Sequence, residues 1–310
     1  MKWMLLPLSM MMFSGCSLFD RRPEDPRRIV REENMAAAAK AGQGPRKRVL
    51  VLPFLDANPA RSPEFREKAR QAFMMDLNKT GQVLAVDSNE LKSDPKKFIA
   101  NGEYVFKDYA ASARNLGVSA LLEGKIIDLK VKRSADNIGI IRKLTTSFEA
   151  VVRVRLANAR GGREVFNTTK TVTIEQDGTR VGERVETDQY IRDNPQVLMV
   201  IVKDAFLDFT PQIIGALDKI SWEGRIAAFS GDRVYLNVGR QSGVQIGDLL
   251  RVTEDGDDVY DPESGGHIGR VPGRMKGTLE VVSYFGTDGA VAVVHSGAGF
   301  KENDRVEFYQ

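Results

Sequence analysis

The chain has 310 residues, 42% hydrophobic and 28% charged, with 45 Lys and Arg against 42 Asp and Glu for a net charge of +3. That length holds one or two domains with ample material for a core, and the near balance of charge lacks the concentrated basic field of a nucleic-acid binder. One cysteine and two histidines far apart in sequence exclude a disulfide framework and a Cys/His metal cluster. The predicted elements begin with Met1-Lys2, a positive start, and an apolar run from Trp3 to Phe13 broken only by Pro7 and Ser9. The run is shorter than the ~20 residues of a bilayer-spanning helix. A positive residue, a short apolar core and small residues before a cut describe a secretory signal over residues 1–15.

The only cysteine follows that segment. Phe13-Ser14-Gly15-Cys16 resembles a bacterial lipobox. The resemblance implies cleavage between Gly15 and Cys16 and a diacylglycerol on the Cys16 sulfur. With Ser17 rather than Asp next, it also implies export to the outer membrane, on its periplasmic face. Acyl chains add roughly 0.8 kcal/mol of membrane affinity per buried CH2, and several on one residue hold firmly. The alternative is an ordinary signal peptide with an incidental cysteine. Residues 16–47 are charged, rich in Pro and poor in large apolar groups, as expected of a tether that cannot fold alone, with a short helix around 29–40. Its arginines, among them Arg21, Arg22 and Arg31, are either solvated or touch anionic lipid or peptidoglycan.

Order is expected from "RVLVLPFLD", where Val49 to Leu52 form an apolar run suited to a strand covered on both faces. Ser62 as N-cap and Pro63 at the first helical position open a helix with the stripe Phe65, Ala69, Ala72, Phe73 and Leu77, stopped at Gly81. "QVLAVD" is a second strand. A helix over 103–116 is expected to bury Val105, Tyr109, Ser112 and Leu116. This alternation belongs to an α/β unit. From Ile127 the period becomes two: Phe148, Ala150, Val152, Val154 and Leu156 alternate with mostly charged residues, and "NARGG" at 158–162 is a turn. These predict antiparallel strands with one wet face. A long helix begins at Asn194-Pro195, buries Leu198, Ile201, Val202, Ala205 and Phe209, breaks or kinks at Thr210-Pro211 and continues to about Ile220.

After Trp222 glycine becomes dense and helical periodicity ends. "GDRVYLNVGRQSGVQIGDLLRV" and "TDGAVAVVHSGAGFKENDRVEF" repeat one pattern of alternating strand (Val234, Leu236, Val238; Val291, Val293), turn and second strand. "DGDDVYDPESGGHIGR" between them is rich in hairpin turns. A small all-β barrel of the SH3-like kind is expected. The fold class is therefore α+β, with residues 48–220 as an α/β domain and 221–310 as the barrel.

The ordered set "VLPF", "LLEGKIIDLKV", "FEAVVRVRLANARGG" and "DNPQVLMVIVKDAF" resembles the CsgG-like domain, also seen in TolB N-domain relatives. Residues 222–310 resemble the FlgT C-terminal domain. The resemblance implies a periplasmic structural protein, not an enzyme, that forms a homo-oligomeric ring or joins envelope machinery, the flagellar basal body first. It leaves open a CsgG-type export channel and a lipoprotein regulator of peptidoglycan synthesis.

A channel needs strands of about 9–11 residues with aromatic girdles. The hairpin of 125–133 with 144–156 is long enough, yet Trp and Tyr are absent between Tyr109 and Tyr190, and the stretch 164–186 is polar on both faces. A sheet covered by helices on one side is the other reading. Asp255, Asp257, Asp258, Asp261 and Glu263 form an acidic turn without EF-hand order. His267 and His295 have no nucleophile at useful spacing, and no phosphate loop is present. Met74-Met75 is read as core filler and Trp222 as interdomain packing or a partner anchor. No catalytic residue, metal or cofactor is expected.

Overall fold

The structure is a computed structural model that describes residues 45–88, 94–113, 116–135, 142–180, 195–256, 258–265, 267–271 and 273–309. The signal, residues 16–44 of the tether with its expected helix, and Asn194 lie outside them, while Lys47, taken as the end of the tether, is the first residue of β1. In chain order the first unit runs β1 (Lys47–Val51), β2 (Leu55–Asp56), α1 (Pro63–Lys79), β3 (Val83–Asp87), a 3-10 turn (Pro95–Phe98), β4 (Ile99–Ala100), β5 (Glu103–Tyr104) and α2 (Phe106–Ala113). Three long strands follow, β6 (Ala120–Ala135), β7 (Arg142–Asn158) and β8 (Glu164–Arg180), then α3 (Pro195–Leu207) and α4 (Thr210–Leu217).

Residues 49–52 are uniformly apolar because β1 is central and buried on both faces. It pairs in parallel with β3 on one side and β6 on the other. β6, β7 and β8 continue the sheet as antiparallel neighbours, and β2 adds to β6 beyond the end of β1, giving the order β3-β1-β6-β7-β8. The expected alternation followed by antiparallel strands is thus one mixed sheet. On one face Val49, Val51, Leu122, Ile126 and the alternate residues Phe148 to Leu156 meet α1, α3 and α4. On the other, Leu50, Leu52, Leu121 and Ala157 meet α2.

Two stretches used for the family resemblance touch here. Phe54 of "VLPF" stacks 4.5 Å from Phe206 of α3 and 6.2 Å from Phe73 of α1. A Cβ on Gly124 of "LLEGK" would come within 2.5 Å of the Phe54 ring, so glycine there admits the aromatic cluster.

Three expectations shift. The helix predicted over 103–116 is α2 alone, because Glu103 and Tyr104 pair as β5 with β4. Its buried stripe is Phe106, Tyr109, Ala110 and Ala113, while Ser112 is exposed. Phe106 is the larger anchor and draws the stripe onto its own face. The long helix breaks before Thr210 rather than at it, since Pro211 fits the first turn of a new helix. Met74 packs against the core, but Met75 is 60% exposed.

The second unit holds β9 (Gly224–Ser230), β10 (Arg233–Leu236), β11 (Leu249–Thr253), β12 (Asp258–Tyr260), β13 (His267–Arg270), β14 (Met275–Phe285), β15 (Gly289–Gly297) and β16 (Arg305–Phe308). Six of these close a barrel in the order β10-β15-β14-β11-β16-β9. Val234, Leu236, Val238, Leu250, Val252, Leu279, Val281 and Val306 fill it. From β15 the barrel core receives Ala290 and Ala292, whereas Val291 and Val293 pair with the outward register of Tyr235 and Arg233. Both parities of "AVAV" are apolar, and a narrow barrel takes the smaller set. β12 and β13 form a separate hairpin outside the barrel.

The two units touch through directional contacts. Arg46 N–H donates to Ser242 O at 2.9 Å. Arg48 Nη1 donates to Leu116 O and Asn237 O at 3.0 and 2.9 Å, and Asn237 Nδ2 donates to Leu116 O at 3.1 Å. Gly117, at φ +62°, lies so close that a Cβ would stand 2.6 Å from Asn237 Nδ2. Arg160, from the predicted turn at 158–162, reaches Glu223 and Glu307 at 2.6 Å each.

Candidate functional site

The long strands decide what the first unit offers to partners. β6, β7 and β8 have 16, 17 and 17 residues, ample length for a channel hairpin. Yet the apolar stripe from Phe148 to Leu156 is the seat of α3, through Leu198, Ile201, Val202 and Ala205. Along β7 and β8 helices thus cover one face, while α2 covers part of the other face beside β1 and β6, so the sheet as a whole is not covered on one side alone. Over the described side chains, the opposite face carries Lys125, Asp128, Lys130, Glu149 and Arg153, together with Thr169, Thr171 and Thr173 of β8. This is the expected wet face.

Where α2 ends its cover, that face holds a buried charge cluster. Glu123 is wholly buried and accepts two bonds from Arg155, from Nε at 3.0 Å and Nη2 at 2.5 Å, and a third from Tyr104 N–H at 2.9 Å. Arg155 stacks 4.6 Å over Phe106, donates to Tyr104 O and approaches Glu164 at 3.4 Å. Arg153 binds Glu103 at 2.5 Å. Burial pushes Glu103 up, but the Arg153 hydrogen bond and nearby cations outweigh it and hold its carboxyl below the usual range. Burial likewise opposes the charge of Arg155, and Glu123 reverses that, leaving the guanidinium raised. Each guanidinium of the cluster has a carboxylate partner, while Arg153 Nε is buried without a hydrogen-bond acceptor among the described residues, so the cluster serves to orient strands. The sequence signal for it is a carboxylate inside the apolar run "ALLEG".

The other expected site residues stand apart. Gly15 and Cys16 lie outside the described residues. His267 is in β13, its backbone opposite Tyr260, and His295 is on β15 with Nδ1 3.9 Å from Glu280, half exposed. Asp255 pairs with Arg225 at 2.8 Å, and Asp261 caps its own turn by accepting from Glu263 N–H and Ser264. Backbone and hydroxyl hydrogen bonds from Ser264 hold Asp261 below the usual carboxylate range. Among the described residues no group of three or more His, Cys, Asp and Glu is placed to hold a metal ion. Trp222 is 6% exposed and stacks 4.5 Å from Phe308 as part of the barrel core, at the edge facing the sheet unit.

The second unit presents a different surface. A closed barrel leaves no sheet edge. Its outer hairpin exposes Val259, Tyr260 and Ile268, the last to 65%, and Val271 and Met275 beside it are half exposed. Apolar residues gathered on one projecting hairpin suit a protein partner. Among the described residues no helix is long and apolar enough to cross a membrane.

No protein-family model and no curated protein matches the sequence. Several solved structures are similar to parts of it. A hypothetical protein from Chlamydia trachomatis is 13% identical over 56% of this chain and 98% of its own, with a TM-score of 0.36. The PelC dodecamer from Paraburkholderia phytofirmans is 14% identical over 55% and 88%, at 0.28. The LpoB C-terminal domain from Salmonella enterica is 14% identical over 44% and 93%, at 0.27. Similarity at this level carries no functional argument.

Proposed function

We propose that the chain is a lipoprotein of the outer membrane, anchored through Cys16 on the periplasmic face, whose sheet and barrel serve assembly and not catalysis. The observation that carries this reading is the place of the only cysteine, directly after Ser14-Gly15 at the end of a short apolar leader. Two features support the assembly half. The buried carboxylate Glu123 of the sheet is paired with Arg155, and the barrel displays an apolar hairpin. The order of a CsgG-like stretch followed by a FlgT-like one favours a ring of copies at the flagellar basal body. A regulator of peptidoglycan synthesis is the next reading. An export channel is disfavoured because α3 occupies the stripe that lipid would need.

Radioactive palmitate labelling tests the anchor. The wild type is expected to take up label and to sediment with outer membranes, and Cys16→Ser to lose both. A wild type without label overturns the reading. For the flagellar assignment, basal bodies imaged with and without the protein are expected to differ in periplasmic density, and identical density removes it.

A further inference from the structure

Between the sheet unit and the barrel lies an open cleft of about 470 Å³. This is the size range of small-ligand sites, which favour such junctions. One wall is apolar, from Pro45, Ile220, Trp222 and Phe308. The other is charged, and its charges do not balance. Its lining cations are Lys47, Lys219 and Arg251 against the carboxylates of Asp218 and Glu307, and Glu307 also meets Arg160 and Arg305 from behind the wall, so that three guanidiniums, those of Arg160, Arg251 and Arg305, approach it at 2.6, 2.8 and 3.1 Å. Arg160 has a second carboxylate in Glu223, but Arg251 and Arg305 have no other ion pair among the described residues. At the mouth Lys47 stands 3.7 Å from Asp218, and Lys219 has no ion-pair partner among the described residues. Burial lowers the pKa of Lys47 against the pull of Asp218, and burial together with Arg160 lowers that of Arg305. Three lining cations against two lining carboxylates leave the cleft one positive charge in surplus.

Arg251 is the group best placed to use that surplus. It projects from β11, one Nη2 bond to Glu307 fixes it, and its side chain is 42% exposed on the cleft. Its Nη1 has no protein acceptor among the described residues. Arg251 Nε is buried, and a planar guanidinium held at one corner presents its free Nη donors to a carboxylate with little further ordering. The neighbouring Trp222–Phe308 wall suits an apolar group attached to that anion.

We propose that this cleft is a binding site for a peptide-sized carboxylate, its anion on Arg251 with Lys219 adding attraction and its apolar part against Trp222 and Phe308. The chain has two tryptophans, Trp3 and Trp222. In the full-length chain carrying Trp3→Phe, the emission of Trp222 therefore reports on the cleft alone. The probes are N-acetyl-alanyl-alanine, its C-terminal amide and inorganic phosphate. The free acid is expected to change the emission saturably and to bind roughly tenfold more tightly than the amide, weakening as salt rises. Arg251→Gln is expected to weaken the acid by about tenfold, and Lys219→Gln, at an exposed and unpaired position, by roughly two- to threefold. Equal binding of acid and amide, no saturable change with the acid, or saturation by phosphate alone each overturns the proposal. An acid affinity unmoved in Lys219→Gln and Arg251→Gln, with both variants folded by circular dichroism, overturns it as well.

Discussion

Glu123 shows what one residue can commit the fold to. A buried carboxylate is tolerable only while its guanidinium partner stays. Arg155→Ala leaves it with Arg153 at 3.6 Å and one backbone donor, so a loss of about 3 kcal/mol is expected in urea unfolding. The double replacement Glu123→Leu with Arg155→Met removes both charges and is expected to cost far less, because such pairs often exchange for apolar residues near neutrally. A double variant as unstable as the single one would show that the charges themselves hold the strands. Glu307 makes a prediction in pH. Burial raises its pKa, but Arg251, Arg305 and Arg160 more than reverse this, and the net value lies below the ordinary 4.5. The folded carboxylate then binds its proton more weakly than the unfolded one. Its contribution is complete above about pH 4.5 and lost as pH falls through the depressed folded value. Unfolding midpoints recorded from pH 7 to 3 should fall below 4.5, and Glu307→Gln should lower the plateau and flatten the fall. None of these pairings is written in local sequence, since Glu123 and Arg155, or Arg160 and Glu307, meet only through the sheet and the junction.

Elements were legible where one physical signal acted alone. The period-two strands after Ile127, the apolar run of β1 and the proline-led starts of α1 and α3 all lie where the sequence puts them. Reading failed where two signals competed. Phe106 outweighed Val105 in choosing the face of α2, and "AVAV" in β15 offers two apolar faces between which only barrel width decides. β8 raises a separate question, because it is the last strand of its sheet and long enough to template aggregation. Lys170 answers it. Its side chain turns to the helix face, where Nζ donates to Asp208 O at 2.6 Å and lies 4.7 Å from the Phe209 ring centroid, and burial lowers its pKa. An inward charge makes a chance neighbour costly. Lys170→Val should leave the fold intact and raise concentration-dependent self-association in light scattering, while Thr171→Val on the opposite, exposed face should raise it less. Equal scattering from wild type and Lys170→Val would assign edge protection to something else.

At the scale of the molecule, the sheet and the barrel have separate apolar cores, and polar contacts join them. Apolar burial resists small displacements weakly, whereas hydrogen bonds and bidentate ion pairs fix orientation. Arg160 is the most consequential of these joints. It leaves the tight turn after β7, crosses to the barrel and answers two carboxylates, of which Glu223 is 3% exposed. Without Arg160, Glu223 keeps Arg225 at 4.0 Å as its one ion pair among the described residues, and Glu307 shifts onto Arg251 and Arg305. Arg160→Ala should therefore leave each core intact and uncouple them. Thermal unfolding of the wild type is expected as one cooperative transition, and that of Arg160→Ala as two, with the Trp222 signal following the barrel alone. Arg160→Lys keeps the charge but can serve only one carboxylate well, and should fall between them. If Arg160→Ala melts in one transition at the wild-type temperature, the side-chain bonds of Arg48 and Asn237 to backbone carbonyls, with the Arg46 N–H bond to Ser242 O, carry the junction without it.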